Sequence, residues 1–383
     1  MVKTFSSRSV SLDEADSAQG GASLEATLAE FDAVIDTRSP AEYALDHIPG
    51  AISLPVLEDA ERARVGTLYK QVSPFDARKL GAALVARNIA HHLEHTLAGF
   101  ARGWRPLVYC WRGGKRSGAF AHVLREIGWD AHTLKGGYKA YRQHVVEQLA
   151  LLPQRLSLRV VHGATGSGKS RLLAALRRAG AQVLDLEELA AHRGSVLGGL
   201  PERPQPSQKA FESSLRRELA ALDPARTAYV EGESRKIGQL QIPAALIEAM
   251  RAAECLRLDA DVDTRVALLI DEYHHFLADR SSLGAQLECL VPLHGRGVID
   301  EWKALAAAAE WPTLVRRLLV EHYDPAYRRS AAHNFRHLEQ APLLRVTTPK
   351  PVRFAALAED LVADDSSRKP RAQGTAERSV EAA

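Results

Sequence analysis

The feature that most constrains this chain is G-A-T-G-S-G-K-S at residues 163–170, set between the apolar run LSLRVVHG and the amphipathic run KSRLLAALRR. A run of β-branched and leucine residues bounded in this way reads as a buried strand, and apolar positions at helical spacing follow it directly. In that strand-to-helix context the pattern G-x4-G-K-[ST] is a phosphate-binding loop. Gly163, Gly166 and Gly168 let the backbone wrap a diphosphate or triphosphate, with Thr165 and Ser167 inside the wrap. Lys169 neutralises the anion, and Ser170 is a candidate to hold Mg2+ on one phosphate oxygen.

The rest of the chain repeats the alternation of short apolar runs with longer helical ones, which argues for parallel sheets covered by helices. With 383 residues, 46% of them hydrophobic, there is material for two such domains and no compositional sign of disorder. The first α/β stretch contains DAVIDTR, PLVYC, the helical SGAFAHVLREIG and AHTLKGG. The connector ALLPQ precedes the second stretch, in which Gly180 caps the helix after the phosphate loop and PAALIEAMRAAE opens a helix at Pro243. The expected organisation is a flexible extension at 1–25, a first α/β domain at 26–148, a second at 156–345 with a helical C-terminal region, and a mostly flexible tail at 346–383.

A formal charge of +3, from 50 basic and 47 acidic residues, demands neither a nucleic-acid nor a membrane partner. No apolar run of about 18 residues occurs and the N-terminus lacks an apolar signal core, which argues against membrane insertion and export. Cys110, Cys255 and Cys289 are too few and too scattered for a disulfide framework or a four-ligand zinc site, so a reduced, cytoplasmic protein is expected. A monomer with no tightly bound cofactor is the default.

Cys110 stands apart from the other two. PLVYC delivers it to a turn of Trp111, Arg112, Gly113, Gly114 and Lys115, followed by Arg116 and a helix. Backbone N–H groups of such a turn converge on one anion, and the helix terminus with Arg116 adds positive potential. Lowering a thiol by two units from about 8.5 requires roughly 2.7 kcal/mol, which a helix terminus and a nearby arginine supply together. A reactive thiolate is therefore expected. The spacing C-x5-R-S also fits cysteine-dependent phosphatases, so the loop fixes a tetrahedral anion but not a reaction.

Other candidates are weaker. TAYVEGESRKIG puts Glu231 and Glu233 at a strand end, where they can hold a metal or a water, with Arg235 and Lys236 beyond. His192, Arg193 and Ser195 of HRGSVLGG either line the same cleft or form a surface loop. Arg316, Arg317, Arg328 and Arg329, with Arg336, Tyr323 and Tyr327, suit RNA contact, and equally suit a solvated helix face. His274 and His275 in DEYHHF read as a helix surface pairing rather than a metal site.

The segments DTRSPAEYALDHIPGAISLP and HTLKGGYKAYR resemble the rhodanese family, which implies that Cys110 carries sulfur or selenium. In that match Asp36, Arg38, Glu42 and His47 serve the fold more than the substrate. CWRGGKRS, ERARVGTLYKQ, GATGSGKS, VEGESRKIG and EHYDPAYRRS in this order resemble the tRNA 2-selenouridine synthase family over roughly residues 30–330. The resemblance implies an α/β chain with a rhodanese-like domain followed by a P-loop domain. It also implies replacement of sulfur in a wobble 2-thiouridine of tRNA by selenium from selenophosphate, through an S-geranyl intermediate made from geranyl diphosphate. Cys110 and Arg116 would then serve selenium transfer, and the loop at 163–170 would hold the diphosphate. The alternative is a cysteine-dependent phosphatase or a kinase that uses the C-x5-R-S loop and ATP.

Overall fold

The computed structural model describes residues 8–11, 24–195, 197–200, 203–273, 280–334, 338 and 340–367. The chain divides into two compact units, Met1–Leu149 with Pro206–Arg217, and Ala150–Gln205 with Glu218–Ala383.

In the first unit β1 (Ser9–Val10), β2 (Ala33–Asp36), β3 (Ile52–Ser53), β4 (Pro106–Tyr109) and β5 (His132–Leu134) form a sheet of order β1-β5-β4-β2-β3. All four pairings are parallel, with Ile35 opposite Val108 and Asp36 opposite Tyr109. Every residue of β4 is buried, as the centre of a parallel sheet requires. Ile35, Val108, Phe120, Ala121 and Leu124 pack between the sheet and the helix Lys115–Ile127, which Gly128 ends in a left-handed conformation. The buried Arg38–Asp36 pair, at 2.6 Å, stands under the strand ends. Arg38 also donates to the Asp46 carbonyl at 2.6 Å and lies 3.9 Å from the centre of the Tyr138 ring. These contacts tie the end of β2 to the Asp46 backbone and to Tyr138.

The second unit repeats the plan. Its strands β6 (Ser157–Gly163), β7 (Gln182–Leu184), β8 (Thr227–Glu231), β11 (Glu254–Ala260) and β12 (Leu343–Val346) form a sheet of order β12-β11-β6-β8-β7, parallel throughout. The short β9 (Lys236–Ile237) and β10 (Leu240–Gln241) make a separate antiparallel hairpin. Val161, Leu172, Leu176, Leu256 and Leu258 form the core with the helix Lys169–Arg178. That helix is capped by Ala179, with Gly180 left-handed beyond it, and Pro243 caps the helix Ala244–Ala252 from just outside. Both domains are α/β with parallel sheets, the second with a helical C-terminal region, as expected. No helix among the described residues is long and apolar enough to cross a membrane.

Two boundaries differ from the sequence reading. Pro206–Arg217, expected within 156–345, belongs to the first unit. There Ser213 donates to Asp46 at 3.0 Å, Glu212 pairs with Arg142 and Arg216 pairs with Glu25. The reading of 346–383 as a mostly flexible tail is corrected for Pro351–Ser367, a helix that buries Phe354, Leu357, Ala358 and Leu361. Their spacing makes one apolar stripe, which closes the core over the phosphate-loop helix. Residues 1–7, 12–23 and 368–383 lie outside the described residues. Phe354→Ala should cost about 3–5 kcal/mol of stability, read as a lower urea midpoint for the second unit with unchanged slope.

Two candidate oxyanion sites

The first site sits at the end of β4. Cys110 is 4% exposed, its Sγ accepts a hydrogen bond from the Ser117 hydroxyl at 3.3 Å, and Gly114 caps the next helix at φ 72°. The turn is held from outside. Tyr138 N–H donates to the Cys110 carbonyl at 2.8 Å and Lys139 N–H to the Trp111 carbonyl at 3.0 Å. Gly137 makes this approach possible, because a Cβ there would lie 2.3 Å from the Cys110 carbonyl oxygen. Trp111 is 42% exposed at the rim, its ring centre 5.4 Å from that of buried Tyr138. Arg112, Gly113, Gly114 and Lys115 are exposed beside it.

Arg116 does not face this turn alone. Its guanidinium donates to Glu42 at 2.9 Å, and Glu42 also pairs with Arg62 at 3.2 Å. Burial works against the Glu42 carboxylate, but the Arg116 bond and charge prevail and hold it below its ordinary range. Glu42 thus positions Arg116, a role that the sequence left among fold-serving residues.

The second site surrounds the loop at 163–170. The loop leaves β6 between β8 and β11, at the carboxyl end of the sheet where ligands of parallel α/β folds bind. Gly168 caps the following helix at φ 89°, and a Cβ there would meet the Phe354 ring at 2.6 Å, so the C-terminal helix presses on the loop from behind. Lys169 Nζ donates to the Gly163 carbonyl at 3.1 Å, and Ser170 Oγ donates to Glu187 at 3.1 Å. The Ser167 hydroxyl is buried without a hydrogen-bond partner.

A cavity of about 340 Å³ opens over the loop, lined by Gly163, Thr165, Gly166, Gly168, Lys169, Ser170, Glu187, Arg193, Ser195 and Glu233, among others. Tyr323 and Tyr327, read from the sequence as base-stacking partners of the arginines, also line it. A π-helical turn, Leu318–Tyr323, rotates His322 and Tyr323 toward it. Next to it lies an apolar cavity of about 60 Å³ between Leu197, Leu283, Leu314, Val315 and Leu318. The two share Thr165, Leu269, Tyr273 and Tyr323 as walls.

The remaining candidates fall differently. Glu231 is buried, accepts the Glu187 N–H at 2.6 Å with one oxygen and has no partner for the other. Burial, Asp185 and Glu187 push its carboxyl well above the ordinary range. Among the described residues no group of three or more His, Cys, Asp or Glu is arranged to hold a metal. Glu231 and Glu233, the residues expected to hold a metal or a water, lie with Glu187 in a hydrogen-bonded carboxyl cluster. Arg235 is exposed on the loop that enters β9, and Lys236 is exposed as its first residue. Arg316 pairs with Asp263, and Arg317 pairs with Glu301 at 2.9 Å and Glu321 at 2.6 Å. Arg328 donates to the Asp324 carbonyl at 3.3 Å, and both it and Arg329 are exposed. His274, His275 and Arg336 lie outside the described residues.

Glu187, which the sequence reading passed over, is central to this cluster. Only its place two residues after the N-cap Asp185 could have signalled it. Glu187 and Glu233 hydrogen-bond each other, so the pair retains a proton. Burial first, and then the negative charge of Glu187, push Glu233 up to about 8.

The family model described as tRNA 2-selenouridine synthase AAA domain matches residues 134–288, and the rhodanese-like domain model matches residues 21–144. A protein named tRNA 2-selenouridine synthase from Shewanella halifaxensis is 34% identical over 77% of this chain and 87% of its own length. The chain belongs to the tRNA 2-selenouridine synthase family. Proteins of the same name from Nitrosomonas europaea and Bdellovibrio bacteriovorus are each 38% identical, over 63% and 67% of this chain. The match spans 63% of the Nitrosomonas protein's own length and 67% of the Bdellovibrio protein's.

The carboxyl cluster gives this family member a testable pH response. Folded, Glu233 keeps its proton up to about pH 8, whereas its ordinary value is 4.5, so the folded state binds more protons in between. Stability should fall as pH rises from about 5 to 8. Melting temperatures across that window should show the fall, and Glu233→Gln should flatten it.

Proposed function

We propose that this protein is a cytoplasmic tRNA 2-selenouridine synthase that acts as a transferase at wobble 2-thiouridine. Selenophosphate supplies selenium at the Cys110 turn, and geranyl diphosphate binds at the phosphate loop. The observation that carries the second assignment is the apolar cavity sharing four walls with the phosphate cavity. A nucleoside triphosphate has no use for a leucine-lined recess beside its phosphates, whereas the apolar end of a prenyl diphosphate suits one. Each buried CH2 contributes about 0.8 kcal/mol.

The proposed reaction comprises two transfers. The thiocarbonyl sulfur of the base donates its electron pair to C1 of the geranyl group, and the C1–O bond breaks. The loop amides, Lys169 and Ser170 stabilise the diphosphate that departs. Alkylation turns the sulfur into a good leaving group at C2 of the base. The selenium of selenophosphate, presented by the Cys110 turn, then attacks C2 and geranylthiolate leaves; water cleaves the P–Se bond, which releases phosphate and leaves the selenium on C2. In the turn, Arg116, held by Glu42, and the amides around Trp111–Lys115 cradle the phosphate of selenophosphate.

Ser170 and Glu187 offer a hydroxyl and a carboxylate 3.1 Å apart, the hard oxygen donors that Mg2+ prefers. These two would hold the ion, and it would supply charge to the diphosphate. For tRNA, the exposed Arg235, Lys236, Arg328 and Arg329 are the proposed contacts, with Arg316 and Arg317 already engaged by carboxylates.

The two steps should separate by mutation. With 2-thiouridine tRNA, geranyl diphosphate and selenophosphate, Cys110→Ser should accumulate S-geranyl-2-thiouridine and form no 2-selenouridine. Lys169→Ala should form neither, with geranylation reduced at least about 100-fold. Mass analysis of the wobble nucleoside reads both, and a Lys169→Ala protein that geranylates at the normal rate would overturn the loop's assignment. Val315→Trp, which fills the apolar cavity, should weaken geranyl diphosphate while leaving inorganic diphosphate binding unchanged by calorimetry.

A further inference from the structure

The phosphate cavity contains a cation that the phosphate-loop pattern does not include. After the short helix Leu186–Ala190, a turn closes on itself through Arg193 N–H to the Gly198 carbonyl at 2.9 Å and Gly198 N–H to the Ser195 carbonyl at 2.9 Å. Gly194 within it is left-handed at φ 66°, and a Cβ there would lie 2.9 Å from the carboxylates of both Glu187 and Glu233. The turn therefore packs on the protonated pair, and Arg193 lines the same cavity as the loop's own lysine.

Arg193 is unlike the other arginines of this region. Arg171 pairs with Asp271 and Glu272, and Arg265 pairs with Asp324 and donates to the Thr165 carbonyl. Among the described residues the Arg193 guanidinium meets no carboxylate. It lies 5.4 Å from the centre of the Tyr273 ring, and its Nε is buried without a hydrogen-bond partner. A buried donor in this condition calls for an explanation, because native structures satisfy nearly all such groups. A guanidinium offers a planar fork of donors that fits phosphate oxygens two at a time.

We propose that Arg193 is a catalytic residue of the phosphate site, binding the terminal phosphate of the diphosphate and stabilising it as it leaves. The proposal rests on the alkyl-transfer reading for its reaction, though not for its ligand. When the sulfur's electron pair forms the S–C1 bond, the pair of the C1–O bond departs with the diphosphate, and the N3 proton of the base passes to solvent. Negative charge grows on the departing oxygens during this step. A preformed cation facing those oxygens binds the transition state more strongly than the ester. Tyr273 holds the guanidinium by its ring face, so no carboxylate must be displaced before the anion arrives.

The test uses the full chain with inorganic diphosphate as the probe. Arg193→Ala should weaken inorganic diphosphate, by calorimetry, about tenfold or more, and should lower the single-turnover geranylation rate about 100-fold. Arg193→Lys, which keeps the charge but loses the fork, should recover part of the affinity and little of the rate. Should Arg193→Ala destabilise the turn, Arg193→Lys and Arg193→Gln with wild-type melting temperatures carry the same comparison. Wild-type diphosphate affinity and wild-type geranylation rate in these variants would overturn the proposal. If the wild-type protein binds inorganic diphosphate but transfers no geranyl group, the alkyl-transfer reading falls, while the affinity of the Arg193 variants still decides the ligand assignment.

Discussion

A central parallel strand, buried on both faces and hydrogen-bonded on both edges, has to release its chain at its carboxyl end into a helix on one face of the sheet. This constraint builds both sites. β4 releases into the Cys110 turn and β6 into the loop at 163–170, and in each case a left-handed glycine, Gly114 or Gly168, caps the helix that follows. The first backbone N–H groups of that helix have no intrahelical partner and carry the positive end of its dipole. An anion-binding pocket is thus a property of the topology before any side chain is added. The side chains decide what the pocket does: a thiol in one, a lysine in the other.

Carboxyl groups stand beside both anion sites, Glu42 at the first and Glu187, Glu231 and Glu233 at the second. In the first, Glu42 spends its charge on Arg116 and Arg62 and sets the direction of the guanidinium. In the second, Glu187 and Glu233 share a proton, and Glu231 is buried beneath them. Negative charge near the phosphate loop is reduced by burial, which favours the neutral carboxyl form, and what remains is turned toward Ser170. The carboxyl groups act as a scaffold for hydroxyls and turns rather than as competitors of the ligand.

The C-terminal half of the second unit completes the phosphate site instead of trailing from it. Phe354 supports Gly168 from behind, and the π-helical turn at Leu318–Tyr323 provides a wall common to the polar and apolar cavities. A polyphosphate loop opening directly onto a leucine-lined recess suits a ligand that is charged at one end and oily at the other.

Much of this was legible in the chain. The two strand–loop–helix units, the cysteine, the phosphate loop and the capping glycines are local, because φ preferences, hydrophobic period and backbone N–H direction depend on neighbours in sequence. The apolar stripe of Phe354, Leu357, Ala358 and Leu361 was present in the sequence too, although its flanking polar residues concealed it. Other features needed partners far away in sequence. Arg116 meets Glu42 across 74 residues, and Ser170 meets Glu187 across 17. The pairing of Arg316 and Arg317, the lack of a carboxylate at Arg193 among the described residues and the apolar recess likewise depend on which elements pack together. The sequence by itself determined where backbone could bind an anion, since that is a matter of local geometry. Only the tertiary structure decided which charges are neutralised and which remain for a ligand, because Coulomb and desolvation energies depend on distances through space, not along the chain.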